Sequence, residues 1–542
     1  MTTPNDSADC TDLRNFLNDC TLNTAFNGNM RGRIDGTIEM SGGMPRNPTP
    51  DDVIIYHRNA VYKARERQIT INLLGLAGGR PYVNTRLSRY SGETEIDWVG
   101  GSRPDGSKAT GRLQQTHAFP YLGRVSQKIN QFVFQTHPDR EGSDPVVVGD
   151  ISRDSKSVND IMREVSSLTF AAGWCWIMVD SPAPKTDGED FTVAEKDSGK
   201  IRPYWRVLSP LDVLDWSFDD RGELIYIKTQ SWESDDSNPF VVPVPRRVVK
   251  LWTKGNCRKY TIVEKRDGRR RNGIHAEVEF VDIPMIDDKG NTLKVVPFAL
   301  AGDISAKPMA FDDLESINRT IMDMGSVDRA NYFNCNYPQM VLPKSLIQTT
   351  MQNGYNNITD GIRLMLGFKY PIMLDKDDAS PAYLTPDSSA LKGGAEYTIQ
   401  LKRELFEVVG MSVESSSRQV ASGESKAWDF QDVAAVMQAK AETLEDAERR
   451  AVEISKAWDS SFEEWVPKYN REFDVGNFKD ELSTLIMASN SNQPAGVLRM
   501  ISAKIVDRLD RIGSPTDEEV LKALNEEIGA WNPNDFQEQP TF

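Results

Sequence analysis

A long repeat of apolar residues in the second half of the chain constrains the fold more than any other feature of the sequence. Between residues 433 and 465, core-type residues recur at spacings of about four and three, which is the pattern of one face of an α-helix. The residues in this pattern are Val433, Met437, Lys440, Leu444, Ala447, Ala451, Ile454, Trp458, Phe462 and Trp465. Bulky aromatic residues beside small alanines favour a helix that crosses a mixed core over a coiled coil. The sequence therefore predicts a fold organised around one very long helix.

Two shorter helices with an insert between them precede this long helix. Asp312 and Asp313 are suited to begin a helix, and apolar residues follow at helical spacing from Leu314 to Met324. Residues 334–388 are interrupted by Pro, Gly and Asn and contain two short strand patterns, at 340–342 and 371–374. This segment is typical of a small α/β insert. The second helix is predicted at residues 389–412.

The second helix has a polar stripe on an otherwise apolar cylinder. At 100° per residue, one half is occupied by Ile399, Leu401, Leu405, Phe406, Val408 and Val409. A narrow stripe on the other half consists of Lys392, Glu396, Gln400, Arg403 and Glu407. Such a helix is expected to have apolar neighbours on two sides and one wet polar edge. The positive and negative charges of residues 389–412 cancel.

A small-residue segment joins this helix to the long one. Residues 412–426, SVESSSRQVASGESK, have no apolar periodicity and the composition of a mobile loop. The polar residues that we single out in it are Ser415, Ser416, Ser417, Arg418, Gln419 and Lys426.

The first half of the chain has mixed helix and strand patterns, so the fold class predicted for the protein is α+β. Residues 51–90 are helical in pattern until Gly78-Gly79-Arg80-Pro81, and residues 91–116 are typical of a long loop. A helix at 158–170, a break at Gly173 and a buried strand at 174–180 predict one α/β unit. Strand patterns at 203–208 and 213–216 are predicted to continue the same sheet, and further strands follow to residue 264. Asp267-Gly268 then predicts a hairpin, whose basic tip at 265–271 fits either phosphate contact or a solvated turn.

Composition excludes several classes of protein. The chain has 542 residues and a formal net charge of −16, which argues against a free-standing tight binder of nucleic acid. Its five cysteines contain no C-x-x-C pair, so neither a disulfide framework nor a zinc site is indicated and we expect a reducing compartment. No run of 18 apolar residues and no secretory signal pattern occurs, so we expect no membrane segment.

Enzyme signatures are also missing from the sequence. It contains no phosphate-binding loop, dinucleotide fingerprint, H-E-x-x-H or G-x-S-x-G motif, so we expect no enzymatic activity, no cofactor and no metal. The four histidines are not spaced as ligands on a helix, and the S-x-x-K match at Ser389–Lys392 lacks its companion motifs. Asp375, Asp377 and Asp378 fit either a cation site or, more simply, a solvated acidic turn.

The order helix, insert, helix, small-residue loop and very long helix resembles that of the portal proteins of tailed bacteriophages. Local sequences resemble this family as well, over about residues 50 to 470. They are YHRNAVYKA at 56–64, AGWCWIMVD at 172–180, SGESKAW at 422–428 and AETLEDAE at 441–448.

The resemblance implies a division of the chain into named parts. It makes 1–50 an N-terminal arm, 51–310 an α/β wing, 311–333 and 389–412 the stem helices and 334–388 the clip. Residues 413–430 become the tunnel loop, 431–470 the long wing helix and 471–542 a helical crown, for which the sequence predicts helices at 494–512 and 516–528. The stripe of the second stem helix and the polar loop residues would face the channel.

The resemblance also implies a function and partners. Portal proteins form a ring, usually of twelve subunits, at a unique capsid vertex of the virion, after synthesis in the host bacterial cytoplasm. Double-stranded DNA is packaged through this channel by the terminase, whose large subunit docks on the clip, and is later ejected through it. Other expected partners are the major capsid protein and head-completion or adaptor proteins.

Two other interpretations of the sequence remain. One is a different virion structural protein, such as an adaptor or scaffold, which is not expected to have this order of elements. The other is a metal-dependent nuclease that uses Asp375, Asp377 and Asp378.

Overall fold

A computed structural model describes the central part of the chain and several segments beyond it. The described residues are 55–102, 108–152, 154–181, 202–234, 246–266, 274–336, 339–343, 372–374, 382–384, 389–409, 423–471 and residue 500. The structure is 47% helical and 24% strand, which confirms the predicted α+β class.

The first part of the chain is mainly helical. Its helices are α1 (Ala60–Ala77), α2 (Gly79–Arg86), α3 (Glu95–Trp98), α4 (Arg112–Gln115), α5 (Tyr121–Val133), α6 (Pro145–Gly149) and α7 (Val158–Ala172). Asn59 begins α1 because its side chain accepts a hydrogen bond from the Val61 N–H. Gly78 ends α1 with a φ of +66°, a left-handed conformation that favours glycine. The break predicted at Gly78-Gly79 is therefore confirmed.

Residues 91–116 are more regular than the predicted loop. They contain α3, α4 and a small hairpin of β1 (Gly100–Ser102) and β2 (Lys108–Thr110). Arg112 organises this segment, since its guanidinium bonds both carboxylate oxygens of Glu93 at 2.5 and 2.8 Å. The same group lies 4.2 Å from the centre of the Tyr90 ring and 4.9 Å from that of Trp98. The loop prediction was wrong because these contacts join residues that composition alone does not connect.

The strands in the described part of the chain form two main antiparallel sheets. The first has the order β11 (Phe298–Gly302), β4 (Trp174–Asp180), β5 (Tyr204–Leu208). The second is a five-stranded meander of β6 (Val213–Phe218), β7 (Leu224–Glu233), β8 (Arg246–Thr253), β9 (Asn256–Arg266) and β10 (Ile274–Pro284). The sequence placed β6 in the same sheet as β4, which was wrong: a turn held by a bond from the Ser209 N–H to the Asp212 carboxylate separates β5 from β6.

The hairpin predicted around Asp267-Gly268 is present as the pair β9 and β10. Arg266 pairs with Ile274 and the register continues to Asn256 with Pro284. The basic turn between these strands, 267–273, lies outside the described residues.

The core surrounds β4. Six successive residues of this strand, 174–179, are buried, so both of its faces are covered, since neighbouring side chains point to opposite sides. The Cys175 thiol donates to the Val165 carbonyl of α7. On the opposite face the Trp176 ring lies 6.1 Å from that of Trp216 on β6. The first sheet is thus enclosed by three elements: α7, the second sheet and the long helix Gly423–Trp458.

The last part of the described chain contains the long helices. After β11 come α8 (Ala310–Asn336), β12 (Gln339–Pro343), β13 (Ile372–Leu374), β14 (Ala382–Leu384), α9 (Ser389–Glu407), α10 (Gly423–Trp458) and β15 (Val466–Lys468). The strand patterns predicted in the insert are present as β12 and β13, and β14 adds a third strand that pairs antiparallel with β12.

The long helix is shifted from its predicted bounds of 431–470. It ends at Trp458, because the Asp459 side chain accepts from the Ser461 N–H in a turn and the chain then pairs as β15 with β3 (Asp139–Glu141). Phe462 and Trp465 are buried, as the repeat predicted, but they lie beyond the helix.

A buried ion pair fixes the end of α10 to this small β3–β15 sheet. Arg140 bonds both carboxylate oxygens of Glu448 at 2.6 and 3.0 Å. Trp465 Nε1 and the Tyr469 hydroxyl donate to the same carboxylate at 2.9 and 2.6 Å. Every partner is buried, so loss of Glu448 leaves a desolvated guanidinium without its counter-charge.

We expect Glu448→Ala to lower the free energy of unfolding by about 3–5 kcal/mol, because it leaves Arg140 buried and unpaired. Arg449→Ala, on the adjacent exposed residue, removes only a surface pair with Asp446 and should change stability by less than about 0.5 kcal/mol. Chemical unfolding followed by tryptophan fluorescence measures both. Equal effects of the two variants would contradict this account.

Candidate channel-lining surface

Helices α8 and α9 form an antiparallel hairpin with the insert at one end. Phe311 and Leu314 near the start of α8 lie in the main core, as do Leu401 and Leu405 near the end of α9. Away from the core, a Cβ atom on Gly394 of α9 would lie 2.8 Å from a carboxylate oxygen of Asp328 on α8. The strands of the insert follow the outer end of α8 and precede the outer end of α9. The predicted helix–insert–helix order therefore corresponds to a helical hairpin with the insert at its outer end.

Polar contacts attach the base of α8 to the first helices of the chain. Asp312 forms a two-pronged ion pair with Arg65, at 2.6 and 3.0 Å. Burial alone would raise the pKa of Asp312, but the bonds from Arg65 and Asn72 outweigh it, and the pKa is lowered. One turn further on, Glu315 pairs with Arg86 at 2.8 Å. The series continues along the same face with Arg319, Asp323, Ser326 and Arg329, which contact residues between 86 and 115.

The predicted stripe on α9 lies on the face turned away from the protein. Lys392, Glu396, Gln400, Arg403 and Glu407 are all exposed. The buried residues Leu401, Leu405 and Val409 lie on the opposite side of the helix. Each stripe residue is therefore available to solvent in the single chain.

The apolar half of α9 is divided in a way that the sequence did not predict. Leu405 is 0% exposed, whereas Ile399 and Val408 are 50% and 49% exposed. Phe406 is half-buried, with its ring edge-on to Tyr121 at 6.5 Å. Ile399 borders one side of the stripe. Tyr397 borders the other side, together with Val408 in the turn that directly follows α9. Among the residues that the structure describes, the expectation of apolar neighbours on two sides is met on one side only, because a helix at the rim of a core contacts it along one line.

The charges of the stripe alternate along the helix. Lys392 and Arg403 are balanced by Glu396 and Glu407, with Gln400 between them. Gln400 donates to Glu404 at 2.9 Å. Lys402 does not belong to the stripe, since its ammonium lies 5.8 Å from the centre of the Tyr121 ring. The exposed edge thus has cations and anions in equal number.

The polar loop residues are located only in part. Ser415, Ser416, Ser417, Arg418 and Gln419 lie outside the described residues. Lys426 belongs to α10, which begins at Gly423, so the prediction of a loop through residue 430 was wrong at its C-terminal end. The residues after Gly423 include good helix formers, such as Glu424, Lys426 and Ala427, and this propensity prevails over the polar composition.

No metal site is found in the described part of the chain. Within it, no group of three or more His, Cys, Asp and Glu side chains is placed to hold an ion. Asp375, Asp377 and Asp378, the basis of the nuclease interpretation, lie outside the described residues. Lys392, the end of the S-x-x-K match, is exposed on α9. In the described helices, no span is both long and apolar enough to cross a membrane.

Two further polar clusters were not predicted from the sequence. His57 Nδ1 lies 3.0 Å from the buried carboxylate of Asp215, and Lys228 lies 3.7 Å from the same carboxylate. Burial lowers the pKa of Lys228 to about 8, although Asp215 opposes the shift. The second cluster surrounds Lys440, which is the lysine within the apolar repeat. That lysine was the one signal in the sequence that could have revealed it.

No protein-family model matches the chain, and no curated protein matches it. Among solved structures, it is similar to a chain from the "virion of native gene transfer agent (GTA) particle", with 9% identity and a TM-score of 0.34 over 70% of this chain and 89% of that one. A chain from the "neck of empty GTA particle computed with C6 symmetry" has 9% identity and a TM-score of 0.37, over 71% and 90%. A third, from the "neck of native GTA particle computed with C12 symmetry", has 10% identity and a TM-score of 0.32, over 68% and 85%. At such TM-scores the likeness carries no argument about function.

We expect Leu405→Ala to lower the free energy of unfolding by about 2–5 kcal/mol, because it opens a cavity in the core. Ile399→Ala removes a similar side chain from the exposed side of α9 and should change subunit stability by less than about 0.5 kcal/mol. Thermal and denaturant unfolding of the unassembled chain measure both. A destabilisation by Ile399→Ala equal to that of Leu405→Ala would show that α9 faces the core differently.

Proposed function

We propose that this chain is the subunit of a portal ring at one vertex of a tailed bacteriophage capsid. It forms the channel through which the terminase packages double-stranded DNA and through which the DNA later leaves. It has no enzymatic activity of its own and needs no cofactor. The observation that carries the proposal is the hairpin of α8 and α9, whose outer face on α9 is a charge-balanced stripe bordered by exposed apolar residues.

The apolar borders fit contacts between neighbouring subunits. Ile399 lies on one side of the stripe and Val408 on the other, so the two sides present different surfaces. A ring requires such heterologous contacts, in which one face meets a different face of the next copy. When both borders are covered, the stripe between them is the part of α9 left to solvent.

The charge balance fits a conduit for DNA. A strongly basic lining binds a duplex through release of its counterions and slows its movement. A strongly acidic lining repels it. Lys392 and Arg403 alternating with Glu396 and Glu407 produce neither effect, so DNA passes without being held.

The remaining parts of the proposal follow the order of the elements. The insert at the tip of the hairpin, 334–388, is the docking site for the terminase large subunit and later for head-completion or adaptor proteins. Residues 413–422 are the part of the tunnel loop that precedes α10. Residues 51–310, with α10, form the wing that faces the major capsid protein.

We expect the purified protein to form a ring with an axial hole, usually of twelve subunits, and to leave plasmid DNA uncut in the presence of Mg²⁺. Negative-stain microscopy and native mass spectrometry detect the ring. Ile399→Asp places a charge in the proposed contact and should reduce assembly by about tenfold or more, whereas Glu453→Asp on the exposed side of α10 should not. A monomer of the unaltered chain under all conditions would contradict the proposal, and DNA cleavage would favour the nuclease interpretation.

We expect the double change Glu396→Lys and Glu407→Lys to leave assembly intact but to slow packaging and ejection at low salt. If the new lysines add about two phosphate contacts, packaging and ejection should be roughly tenfold slower at about 50 mM salt, and this defect should fade by about 200 mM salt. The matched control is Glu453→Lys with Glu463→Lys, which adds the same charge at exposed positions away from the stripe. Packaging assays at several salt concentrations test this. Equal slowing by both double variants, or a defect that does not depend on salt concentration, would show that the stripe does not line the channel.

A further inference from the structure

A pocket lies where α10 crosses the C-terminal end of α7. Its volume is about 460 Å³, which is in the range of small-molecule sites. The wall of the pocket includes Thr169 and Gly173 at the end of α7, Asp303 after β11, and Lys440, Thr443 and Arg450 on α10.

The amino group of Lys440 is oriented by a hydroxyl on this wall. Lys440 Nζ donates a hydrogen bond to Thr169 Oγ1. The Thr169 hydroxyl in turn donates to the Val165 carbonyl at 2.8 Å. Because a hydroxyl has a single hydrogen, Thr169 accepts from Lys440 and does not donate to it. The lone pair of a neutral Lys440 amine is therefore not engaged by Thr169.

The charged groups around Lys440 do not form an ion pair with it. In the described structure its only bonded partner is Thr169. Asp446 on the same helix is paired with Arg449 at 2.6 Å, and Asp303 and Arg450 lie on the pocket wall. The Cys175 thiol on β4 also faces Lys440, and burial raises its pKa, so this thiol stays neutral.

Among the described residues, no carboxylate offsets the effect of desolvation on the pKa of Lys440. Desolvation lowers the pKa of Lys440 to about 7, although Cys175 opposes the shift. An ordinary lysine has a pKa of about 10.4. At neutral pH a large fraction of Lys440 is therefore a free amine, the nucleophilic form.

We propose that Lys440 is a covalent modification site, at which small activated acyl groups of the acyl phosphate class enter the pocket and are transferred to the amine. This inference is independent of the portal proposal. The exposed cation of Arg450 on the same wall suits the anionic phosphate of such a reagent.

The reaction is a simple acyl transfer. The Lys440 nitrogen attacks the acyl carbon, and a C–N bond forms as the bond between that carbon and the phosphate oxygen breaks. Inorganic phosphate leaves with the electron pair, and the proton of the amine passes to water. The product is an amide in which Lys440 no longer carries a charge.

The test uses the unaltered protein, acetyl phosphate and mass spectrometry of the resulting peptides between pH 6 and 10. Lys128, which is exposed on α5, is the internal reference. At pH 7.5 acetylation should be about tenfold faster or more at Lys440 than at Lys128. The rate at Lys440 should level off above about pH 8, which an ordinary lysine with a pKa of about 10.4 does not show. A rate at Lys440 no greater than at Lys128, or one that rises in parallel with it, would overturn the proposal.

Two threonine variants test the positioning by Thr169. Thr169→Val removes the hydroxyl that receives the Lys440 hydrogen bond and should slow acetylation at Lys440 severalfold, with an altered pH profile. Thr320→Val on α8 is the matched control, because the Thr320 hydroxyl bonds the Ser316 carbonyl of its own helix and Thr320 does not line the pocket. Equal pH profiles of Lys440 acetylation in both variants would show that Thr169 does not position Lys440. If Thr169→Val fails to fold, the pH profile of the unaltered protein decides the proposal.

Discussion

The packing of α10 across the first sheet is the constraint on which the rest of the structure depends. Met437, Ala441, Leu444, Ala447 and Ala451 are completely buried, so this helix has one continuous contact line. Its alanines let the backbone of α10 approach the sheet closely, and larger residues would increase the separation. A helix of 36 residues spans about 54 Å, so it contacts parts of the chain that are far apart in sequence.

Polar groups determine how α10 is placed on that core. Trp205 Nε1 donates to Ser455 at 2.8 Å, and Trp458 Nε1 donates to the Val179 carbonyl at 3.0 Å. These bonds join the last turns of the helix to β5 and β4. Apolar packing is not directional, whereas buried hydrogen bonds are costly to leave unmade. The tryptophans therefore select one position of the helix among several that bury similar area.

The hairpin of α8 and α9 is attached to this core in two different ways. The base of α8 depends on ion pairs such as Arg65 with Asp312, whereas the end of α9 depends on apolar residues such as Leu405. In the described part of the chain only one line of α9 contacts the core, and Ile399 and Val408 are exposed on either side of the stripe. An isolated subunit thus retains apolar surface that suits a neighbouring copy. This arrangement connects the fold with the proposed ring.

The sequence by itself determined the elements whose patterns are local. The repeat of α10, the break at Gly173 before β4 and the stripe on α9 all follow from periodicity and from the special conformations of glycine. It did not determine the split of the strands into two sheets, the order in residues 91–116 or the end of α10 at Trp458. Those features depend on contacts between residues that are distant in sequence, such as Arg140 with Glu448. A pattern over a short stretch of sequence contains no information about the free energy of such contacts. For the same reason Lys440 is only an unusual lysine in the sequence, and the tertiary structure alone made it a half-buried amine beside a pocket.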